Sequence, residues 1–203
     1  RIPFEPLQDE SSALIEMCFS KNKVPERKKW IASYKHGTHI DFKVKELAYA
    51  DFVNQEYIIM AVQSNLRGIP HVMDGFKPSQ RKILFACLKR NLKDEIKVAQ
   101  LAGYTSEHAA YHHGEASLNG AIIGMAQDYV GSNNINLLAP NGQFGTRLLG
   151  GKDAASPRYV FTQLAPITKL VFHPNDSQLY QYLEEDGQQI EPRFYMPVIP
   201  MLL

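Results

Sequence analysis

The chain has 203 residues, with 22 lysines and arginines against 21 acidic residues, and 44% of its residues are hydrophobic. This composition is typical of a folded globular protein and excludes collagen, coiled-coil and disordered chains. No run approaches the roughly 18 apolar residues of a membrane span, and the first residues lack the pattern of a signal peptide. We therefore expect neither a membrane partner nor secretion.

The two cysteines, Cys18 and Cys87, stand far apart and lack metal-ligand spacing. We expect buried thiols in a reducing compartment and no metal site. The net charge is near zero, but basic and acidic residues are concentrated in different segments. Segment 67–93 is mainly basic, and segment 176–191 has five acidic residues and no lysine or arginine. This division favours an anionic partner for the basic part, with a solvated helix face as the alternative.

The first 30 residues predict a helical piece that Ser11 and Ser12 cap. Residues 31–50 show no clear period and predict a connector. The opening Arg1-Ile2-Pro3 has no methionine, which indicates a piece of a longer polypeptide.

The middle of the chain predicts several helices joined by turns. Asp51 is expected to cap a helix that ends at Gly68-Ile69-Pro70, and Ser79 to cap a second helix. One side of the second helix is apolar, and the other is expected to be basic. The basic side consists of Arg81, Lys82, Lys89 and Arg90.

Further helical patterns follow at 96–102, at 105–111 and after His112-His113-Gly114, which together predict a helix-turn-helix core. Beyond Val130 the sequence favours short strands, and Asn141-Gly142 is a hairpin signal. Strands after a helix-turn-helix predict an α+β, mainly helical, winged-helix domain with its wing at 141–153. The tail from Phe172 predicts the beginning of another domain.

Arg158-Tyr159 is the first candidate site. It follows small residues and glycines that let a phosphate come close, with Arg147, Lys152 and Arg158 as donors. A tyrosine here can attack a phosphodiester if its phenolate, with a free pKa of about 10, is stabilised. A half-buried structural tyrosine on a strand is the alternative.

His112 and His113 form the second candidate, because histidines before a helix can donate to a phosphate or shuttle a proton. Neighbouring helical side chains point to different faces, so a shared metal ion is not expected. One capping and one core histidine is the alternative. The sequence has no Gly-rich ATP loop, HExxH or Asp-x-Asp cluster, so ATP or metal chemistry would come from elsewhere.

The third candidate is a basic set that would bind duplex DNA through its phosphates. Its members are Arg67, Lys77, Arg81 and Lys82, with Lys152 on the wing.

Several motifs occur together in one order along the chain. They are Ile69-Pro70, Asp74-Gly75-Phe76-Lys77-Pro78-Ser79-Gln80-Arg81-Lys82, Lys97-Val98-Ala99-Gln100-Leu101, Tyr111-His112-His113-Gly114-Glu115, Ala126-Gln127-Asp128-Tyr129-Val130-Gly131-Ser132-Asn133-Asn134, Pro140-Asn141-Gly142-Gln143-Phe144-Gly145-Thr146-Arg147 and Gly150-Gly151-Lys152-Asp153-Ala154-Ala155-Ser156-Pro157-Arg158-Tyr159. This combination resembles eukaryotic-type DNA topoisomerase II and, more distantly, the breakage subunit of bacterial gyrase.

The resemblance implies that Tyr159 breaks one strand of duplex DNA and forms a 5′-phosphotyrosyl bond. It also implies that Arg158 and His113 stabilise the transition state, with Arg67 near the scissile phosphate and His112 supporting. The residues expected to hold the DNA backbone are Lys77, Arg81, Lys82, Arg147 and Lys152.

The resemblance also divides the chain. It implies the end of a Toprim domain at 1–30, a connector at 31–50, a winged-helix DNA-breakage domain at 51–171 and the start of a tower domain at 172–203. Mg²⁺ and ATP are expected to bind outside this segment, in a nuclear, homodimeric, full-length protein. The segment alone is expected to be inactive.

Two other functions remain open from the sequence. One is a winged-helix DNA-binding module in which Tyr159 does no chemistry. The other is an interaction module whose basic face binds an acidic protein.

Overall fold

The computed structural model describes residues 1–202, and the chain divides into two compact units at the junction of Gly68 and Ile69. From the sequence, domain boundaries were expected at 30/31 and 50/51. In the structure, the helical segment that ends at Gly68 belongs to the first compact unit. Leu203, the last residue of the segment 172–203, lies outside the described residues. None of the helices formed by residues 1–202 has the length and apolar character that a membrane span requires.

The first unit is helical. Its helices are α1 (Asp9–Phe19), α2 (Val24–Ala32), α3 (Tyr49–Asp51) and α4 (Ile58–Gly68), with a 3-10 turn at Lys21–Lys23 and a π-helical segment at Phe52–Tyr57. Between α2 and α3 the chain forms turns, and an isolated bridge joins Leu47 to Phe4. The segment from Tyr49 to Gly68 is therefore helical almost throughout, as predicted from residue 51 onwards.

Aromatic packing positions α2 in this unit. The Trp30 indole N–H donates to Asn54 Oδ1 at 3.0 Å, and the Trp30 and Tyr57 rings stack with centroids 6.0 Å apart. Arg27 donates to the carbonyls of Met17 and Ser20, which satisfies acceptors at the end of α1. These contacts hold α1, α2 and the π-helical segment that leads into α4 together.

The predicted caps at Ser11 and Asp51 are wrong. Helix α1 already begins at Asp9, and the helical segment that contains Asp51 begins at Tyr49. Asp51 instead accepts a hydrogen bond from the Gln55 amide at 3.1 Å. An acidic side chain such as Asp51 is favourable in the first turn of a helix as well as at its N-cap, and a sequence pattern locates a helix end only to within one or two residues.

The second unit combines helices with two small sheets. The helices are α5 (Pro78–Lys89), α6 (Val98–His108), α7 (Glu115–Ala126) and α8 (Thr168–Val171), with a 3-10 turn at Pro174–Gln178; the strands are β1 (Ile96–Lys97), β2 (Leu138–Asn141), β3 (Phe161–Leu164), β4 (Tyr182–Glu185) and β5 (Gln188–Pro192). Strand β3 pairs antiparallel with both β1 and β2, and β4 and β5 form a separate antiparallel hairpin. The predicted α+β class is confirmed.

Two helix predictions need correction here. The segment predicted as two short helices forms β1 and then the single helix α6, because Ile96 and Lys97 pair with β3. Lys77 rather than Ser79 occupies the N-cap position of α5, and its side chain makes no capping hydrogen bond. The Lys77 N–H donates to Gln80 Oε1 at 2.9 Å, and a proline follows at the first helical position, where its missing N–H is harmless.

The apolar stripes predicted for α5 and α7 are confirmed as core. Ile83 and Leu84 of α5 and Leu118 and Ile122 of α7 are fully buried. The tail from Phe172 joins the same core, since Phe172 and Tyr195 are buried with ring centroids 5.6 Å apart.

Both cysteines are buried free thiols, as predicted. Complete burial raises the pKa of Cys87 to about 12.

Candidate nucleic-acid interface and tyrosine site

Tyr159 is an exposed side chain at the end of the β2–β3 loop, which comprises residues 142–160. Its side chain is 77% exposed, whereas the next residue, Val160, is buried in the core. The Tyr159 N–H donates to the Ser156 carbonyl at 2.9 Å and closes a turn before β3. The half-buried strand tyrosine considered from the sequence is thus wrong, and the phenol is open to a large ligand.

The turn that carries Arg158 and Tyr159 is fixed to the beginning of α6. The Val98 N–H donates to the Val160 carbonyl at 3.0 Å, and the Ala99 N–H donates to the Pro157 carbonyl at 3.1 Å. First-turn amides of a helix have no partner within it, so these bonds satisfy α6 and the turn together. An exposed tyrosine is thereby held on an ordered backbone.

Arg158 borders a cavity of about 340 Å³ at the beginning of α7. Ser156 and Pro157 line it from the turn, and Glu115, Ala116 and Asn119 line it from α7. Gly114 caps α7 in the left-handed region, at φ 83°, and no side chain caps the helix. Open helix amides and a guanidinium favour an anion, and the Glu115 carboxylate limits where it can sit.

The two histidines lie between α6 and α7 and have different surroundings. The ring of His113 packs edge-on against Tyr111, with centroids 5.5 Å apart. His112 Nε2 lies 2.8 Å from Glu185 Oε1 on β4. The alternative of one capping and one core histidine does not hold, because both side chains are exposed and neither caps α7.

The β2–β3 loop is ordered by its own contacts. Asp153 accepts hydrogen bonds from the Thr146 N–H at 2.8 Å and the Thr146 hydroxyl at 2.9 Å, and the backbone bond lowers the pKa of this carboxyl. The Gln127 amide donates to the Phe144 carbonyl at 2.8 Å. Arg147 and Lys152 are exposed on this framework, as a phosphate-binding role requires.

The close packing within the loop depends on glycine. A Cβ at Gly145 would lie 2.5 Å from the Gly151 Cα, and both residues have positive φ, 98° and 79°. Only glycine adopts this conformation without strain.

Arg81 and Lys82 do not lie on the exposed basic face predicted for α5. Arg81 is buried and donates to both carboxylate oxygens of Asp74, at 2.7 and 3.0 Å. Lys82 Nζ binds Glu191 Oε2 at 2.9 Å and the Ala109 carbonyl. Helical periodicity predicts which side of a helix a residue lies on, but not whether that side is buried. Here later segments of the chain cover this side of α5.

Lys77 and Arg67, the other two residues of the basic set outside the wing, are exposed. Lys77 is exposed at the beginning of α5, in the second unit. Arg67 is exposed in the last turn of α4, in the first unit. The structure thus leaves four of the proposed phosphate contacts exposed: Arg67, Lys77, Arg147 and Lys152.

The acidic and amide partners that order the site were not predicted from the sequence. Asp74 was noted only as part of a sequence motif, yet it is fully buried and also accepts from the Phe76 and Tyr195 amides. The Asp74-Gly75 pair is a turn signal that indicates such local bonding. Glu185 and Gln127 had no comparable local signal, because their partners are distant in sequence or are backbone carbonyls.

Two family models cover the chain. The model for the A subunit of DNA gyrase/topoisomerase IV matches residues 67–203. The model for the C-terminal associated domain of TOPRIM matches residues 1–65. They meet close to the junction of the two compact units.

Curated relatives show the same family. The chain is 52% identical over 200 residues to DNA topoisomerase 2 of Candida albicans, covering 98% of this chain and 14% of that relative. It is 56% identical over 195 residues to DNA topoisomerase 2 of Arabidopsis thaliana, covering 96% of this chain and 13% of that relative. The chain thus spans about one seventh of the length of these relatives.

A solved structure has the same fold. The crystal structure of the Plasmodium falciparum topoisomerase II DNA-binding, cleavage and re-ligation domain matches with a TM-score of 0.85 and 52% identity. The match covers 97% of this chain and 27% of that one. With its exposed Arg158-Tyr159 turn, the chain therefore belongs to the family of the DNA gyrase/topoisomerase IV A subunit, and within it to the eukaryotic topoisomerase II type.

Proposed function

We propose that this chain is the central DNA-breaking part of an ATP-dependent type II DNA topoisomerase, with Tyr159 as the nucleophile. The observation that carries the proposal is the exposed Tyr159 on an ordered turn, next to an arginine that borders an open helix N-terminus. The relatives named DNA topoisomerase 2, and the match to a DNA-binding, cleavage and re-ligation domain, support it.

The proposed reaction is a transesterification. The Tyr159 phenolic oxygen attacks a backbone phosphorus and loses its proton, and the bond from phosphorus to the 3′ oxygen breaks. The 3′ oxygen takes up a proton and leaves as a hydroxyl, while the phosphate remains on tyrosine as a 5′-phosphotyrosyl ester. One ester replaces another, so the reverse step reseals the strand without an energy source.

The chemistry requires stabilisation of negative charge on the phosphate. Arg158 can donate paired hydrogen bonds to two phosphate oxygens, and the amides at the beginning of α7 provide a positive dipole end. His113, exposed just before α7, can donate to the same group or exchange a proton with it. Arg67 would act near the scissile phosphate, with His112 in support.

The DNA backbone would bind to exposed basic side chains. Lys77, Arg147 and Lys152 are exposed in the second unit. We exclude Arg81 and Lys82 from this contact set, because both are engaged in ion pairs in the interior.

We propose that the second unit is a winged helix in which α6 and α7 form the helical pair and the β2–β3 loop is the wing. The first unit would be the end of a Toprim region, and the segment from Phe172 would lead into a tower domain. This assignment predicts that the wing contacts the duplex beside the cleaved bond.

Cofactors and assembly extend the proposal to the longer protein. Among residues 1–202, no cluster of three His, Cys, Asp or Glu side chains is placed to hold a metal ion, so these residues do not fit a Mg²⁺ site. We propose that Mg²⁺ and ATP bind in other parts of a homodimeric nuclear protein. Two copies of the tyrosine would then open both strands of one duplex, through which a second duplex passes.

A covalent-capture assay tests the proposal. The full-length protein is incubated with Mg²⁺ and a duplex labelled at the 3′ end of the cleaved strand, and the reaction is stopped with detergent. We expect labelled protein with the natural sequence and none with Tyr159→Phe, whose DNA affinity should be unchanged. Tyr104→Phe, in α6 of the same unit, is the control and should keep the adduct, because the ring contacts of Tyr104 do not involve its hydroxyl.

The same assay separates the alternatives. A non-catalytic DNA-binding module would bind DNA tightly yet give no adduct with any variant. A module for acidic proteins would bind DNA weakly even at low salt, without the steep salt dependence of phosphate contacts.

A further inference from the structure

The acidic segment 176–191 was prominent in the sequence, and the proposed function assigns it no role. It contains strands β4 and β5, joined at Asp186-Gly187. One of its carboxylates, on Glu185, contacts the loop between α6 and α7 that carries the two histidines, and a second, on Glu191, is linked to this loop through Lys82. We call residues 109–114 the histidine loop.

Glu185 makes the first contact with the histidine loop. Its Oε1 lies 2.8 Å from His112 Nε2, so the imidazole and the carboxylate share one hydrogen. A ring nitrogen held by a carboxylate fixes both the orientation of the ring and the position of the proton. His112 is therefore held by the hairpin.

Glu191 makes the second contact through Lys82. The Lys82 ammonium binds Glu191 Oε2 at 2.9 Å and also donates to the carbonyl of Ala109, the first residue of the loop. Ala109 is fully buried, and the next residue, Ala110, has φ 48°, a left-handed conformation that a non-glycine residue adopts at some cost. The ammonium thus holds a loop end whose backbone is strained.

The ion pair of Lys82 and Glu191 is not explained by a contribution to the stability of the fold. Glu191 is only 4% exposed, and its burial raises the pKa of its carboxyl although Lys82 opposes the shift. Buried ion pairs often add nothing over apolar residues of similar size. This pair instead supplies a donor to one particular carbonyl, which an apolar pair would not do.

His113, the second histidine of the loop, is left available to bind a ligand. A hydrogen bond from the Ser106 hydroxyl to the Tyr111 carbonyl, at 3.1 Å, holds the middle of the loop. Within residues 1–202, the ring nitrogens of His113 have no hydrogen-bond partner in the protein. These contacts hold the loop on both sides of His113, and the ring nitrogens of His113 remain available to a ligand.

We propose that the β4–β5 hairpin positions the histidine loop for the strand-breaking reaction, with Glu185 acting through His112 and Glu191 acting through Lys82. Both glutamates and Lys82 are positioning residues, and His113 is the group that they present to the phosphate. This inference rests on the proposed function, because it concerns the rate of the same cleavage step.

Cleavage and DNA binding must be measured separately to test it. In the full-length protein, Glu185→Ala should lower the single-turnover rate of adduct formation about tenfold, because a small misplacement of a reacting group is costly. The dissociation constant for duplex DNA should stay within twofold. Glu184→Ala, on the same strand but in contact with none of these groups, is the control and should keep the natural rate.

Lys82→Met distinguishes positioning from direct DNA contact. We expect slower cleavage with an unchanged salt dependence of DNA binding. A lysine that binds a phosphate would instead lower the slope of the logarithm of affinity against the logarithm of salt by about one when removed. Glu191→Gln, which keeps the shape of the side chain, gives a second test if the methionine variant folds poorly.

A double-mutant cycle with His113 gives the decisive outcome. In a His113→Ala background, Glu185→Ala should cause little further loss of rate, because its effect passes through the histidine loop. Independent, multiplying losses, or natural cleavage rates in Glu185→Ala and Glu191→Gln, would overturn the inference. The absence of any adduct with the natural sequence would instead contradict the proposed function.

Discussion

Arg81 and Asp74 form a buried, two-bonded ion pair that ties the beginning of α5 to the preceding turn. The Arg81 Nε lies 2.7 Å from Asp74 Oδ2, and its Nη2 lies 3.0 Å from Oδ1 and 3.1 Å from the Phe76 carbonyl. Asp74 also accepts from the Tyr195 amide at 2.9 Å, more than a hundred residues along the chain. A residue expected to touch DNA therefore holds the interior of the second unit together.

Removal of Arg81 should destabilise the fold rather than simply weaken DNA binding. Arg81→Met leaves the Asp74 carboxylate buried without its counter-charge, and loss of one partner from a buried pair costs about 3 to 5 kcal/mol. Urea unfolding of the 203-residue chain measures this free energy. Lys93→Ala, an exposed change just after α5, should have almost no effect, and equal stability of the two variants would contradict the role of the pair.

Gly145→Ala should disturb the β2–β3 loop. Its Cβ would lie 2.5 Å from the Gly151 Cα at a φ of 98°, and neither backbone can yield cheaply. A left-handed non-glycine residue costs about 1 to 2 kcal/mol before the collision is counted. We expect a lower midpoint of thermal unfolding and weaker binding of duplex DNA.

The matched control for this loop is Gly103→Ala in α6, where an added Cβ meets nothing within 4 Å. It should raise the free energy of unfolding by up to about 1 kcal/mol, since alanine favours a helix. If Gly145→Ala behaved like this control, the packing described for the loop would be wrong.

Alkaline pH should weaken the fold through Cys87. The folded thiol keeps its proton up to a pKa of about 12, against an ordinary value of 9.0. The folded state therefore binds more protons between these values, and its stability falls as the pH rises. From about pH 8 to about pH 10 this group should cost about 1.4 kcal/mol.

Chemical unfolding at the two pH values, in the natural chain and in Cys87→Ala, isolates this contribution. The natural chain should lose more stability than the variant, whose tyrosines titrate in the same way. Equal losses in the two proteins would show that the Cys87 thiol is not protected by burial.

The exposed basic residues of the loop should control the electrostatic part of DNA binding. Arg147→Ala and Lys152→Ala should each weaken binding of all duplex sequences alike and lower the salt slope by about 0.9. Fluorescence anisotropy over a salt series measures both quantities. Lys35→Ala, in the first unit, is the control, and an unchanged slope in both loop variants would exclude these phosphate contacts.

The sequence predicted the elements whose evidence is local. The stripe Leu118, Ile122, Met125 and Tyr129 indicated α7, although the helix ends at Ala126, before Tyr129. Gly68-Ile69-Pro70 indicated the end of α4. Strand β1 was not predicted from the sequence, because its two residues form a strand only by pairing with β3, which lies more than sixty residues further along the chain. Asn141-Gly142 predicted a hairpin with a wing at 141–153, and in the structure β2 and β3 pair as a hairpin whose connection extends over residues 142–160.

The candidate site shows the same division. Arg158 and Tyr159 could be proposed as a candidate site because small residues, glycines and basic side chains lie together in one segment, and the family resemblance gave Tyr159 its role. In the structure both side chains are exposed. Lys82 and Glu191 could not, because their pairing across 109 residues depends on the folding of the acidic segment against α5. Helical periodicity placed Arg81 on the exposed side of α5, because the pattern gives no information about a buried partner such as Asp74.

The most direct test of the whole account is the identity of the residue that carries DNA. The covalent adduct of the full-length protein is digested with nuclease and protease, and its peptides are sequenced by mass spectrometry. We expect a single nucleotide-bearing peptide with the phosphate on Tyr159. A phosphate on another side chain, or no modified peptide under conditions in which DNA is broken, would contradict it.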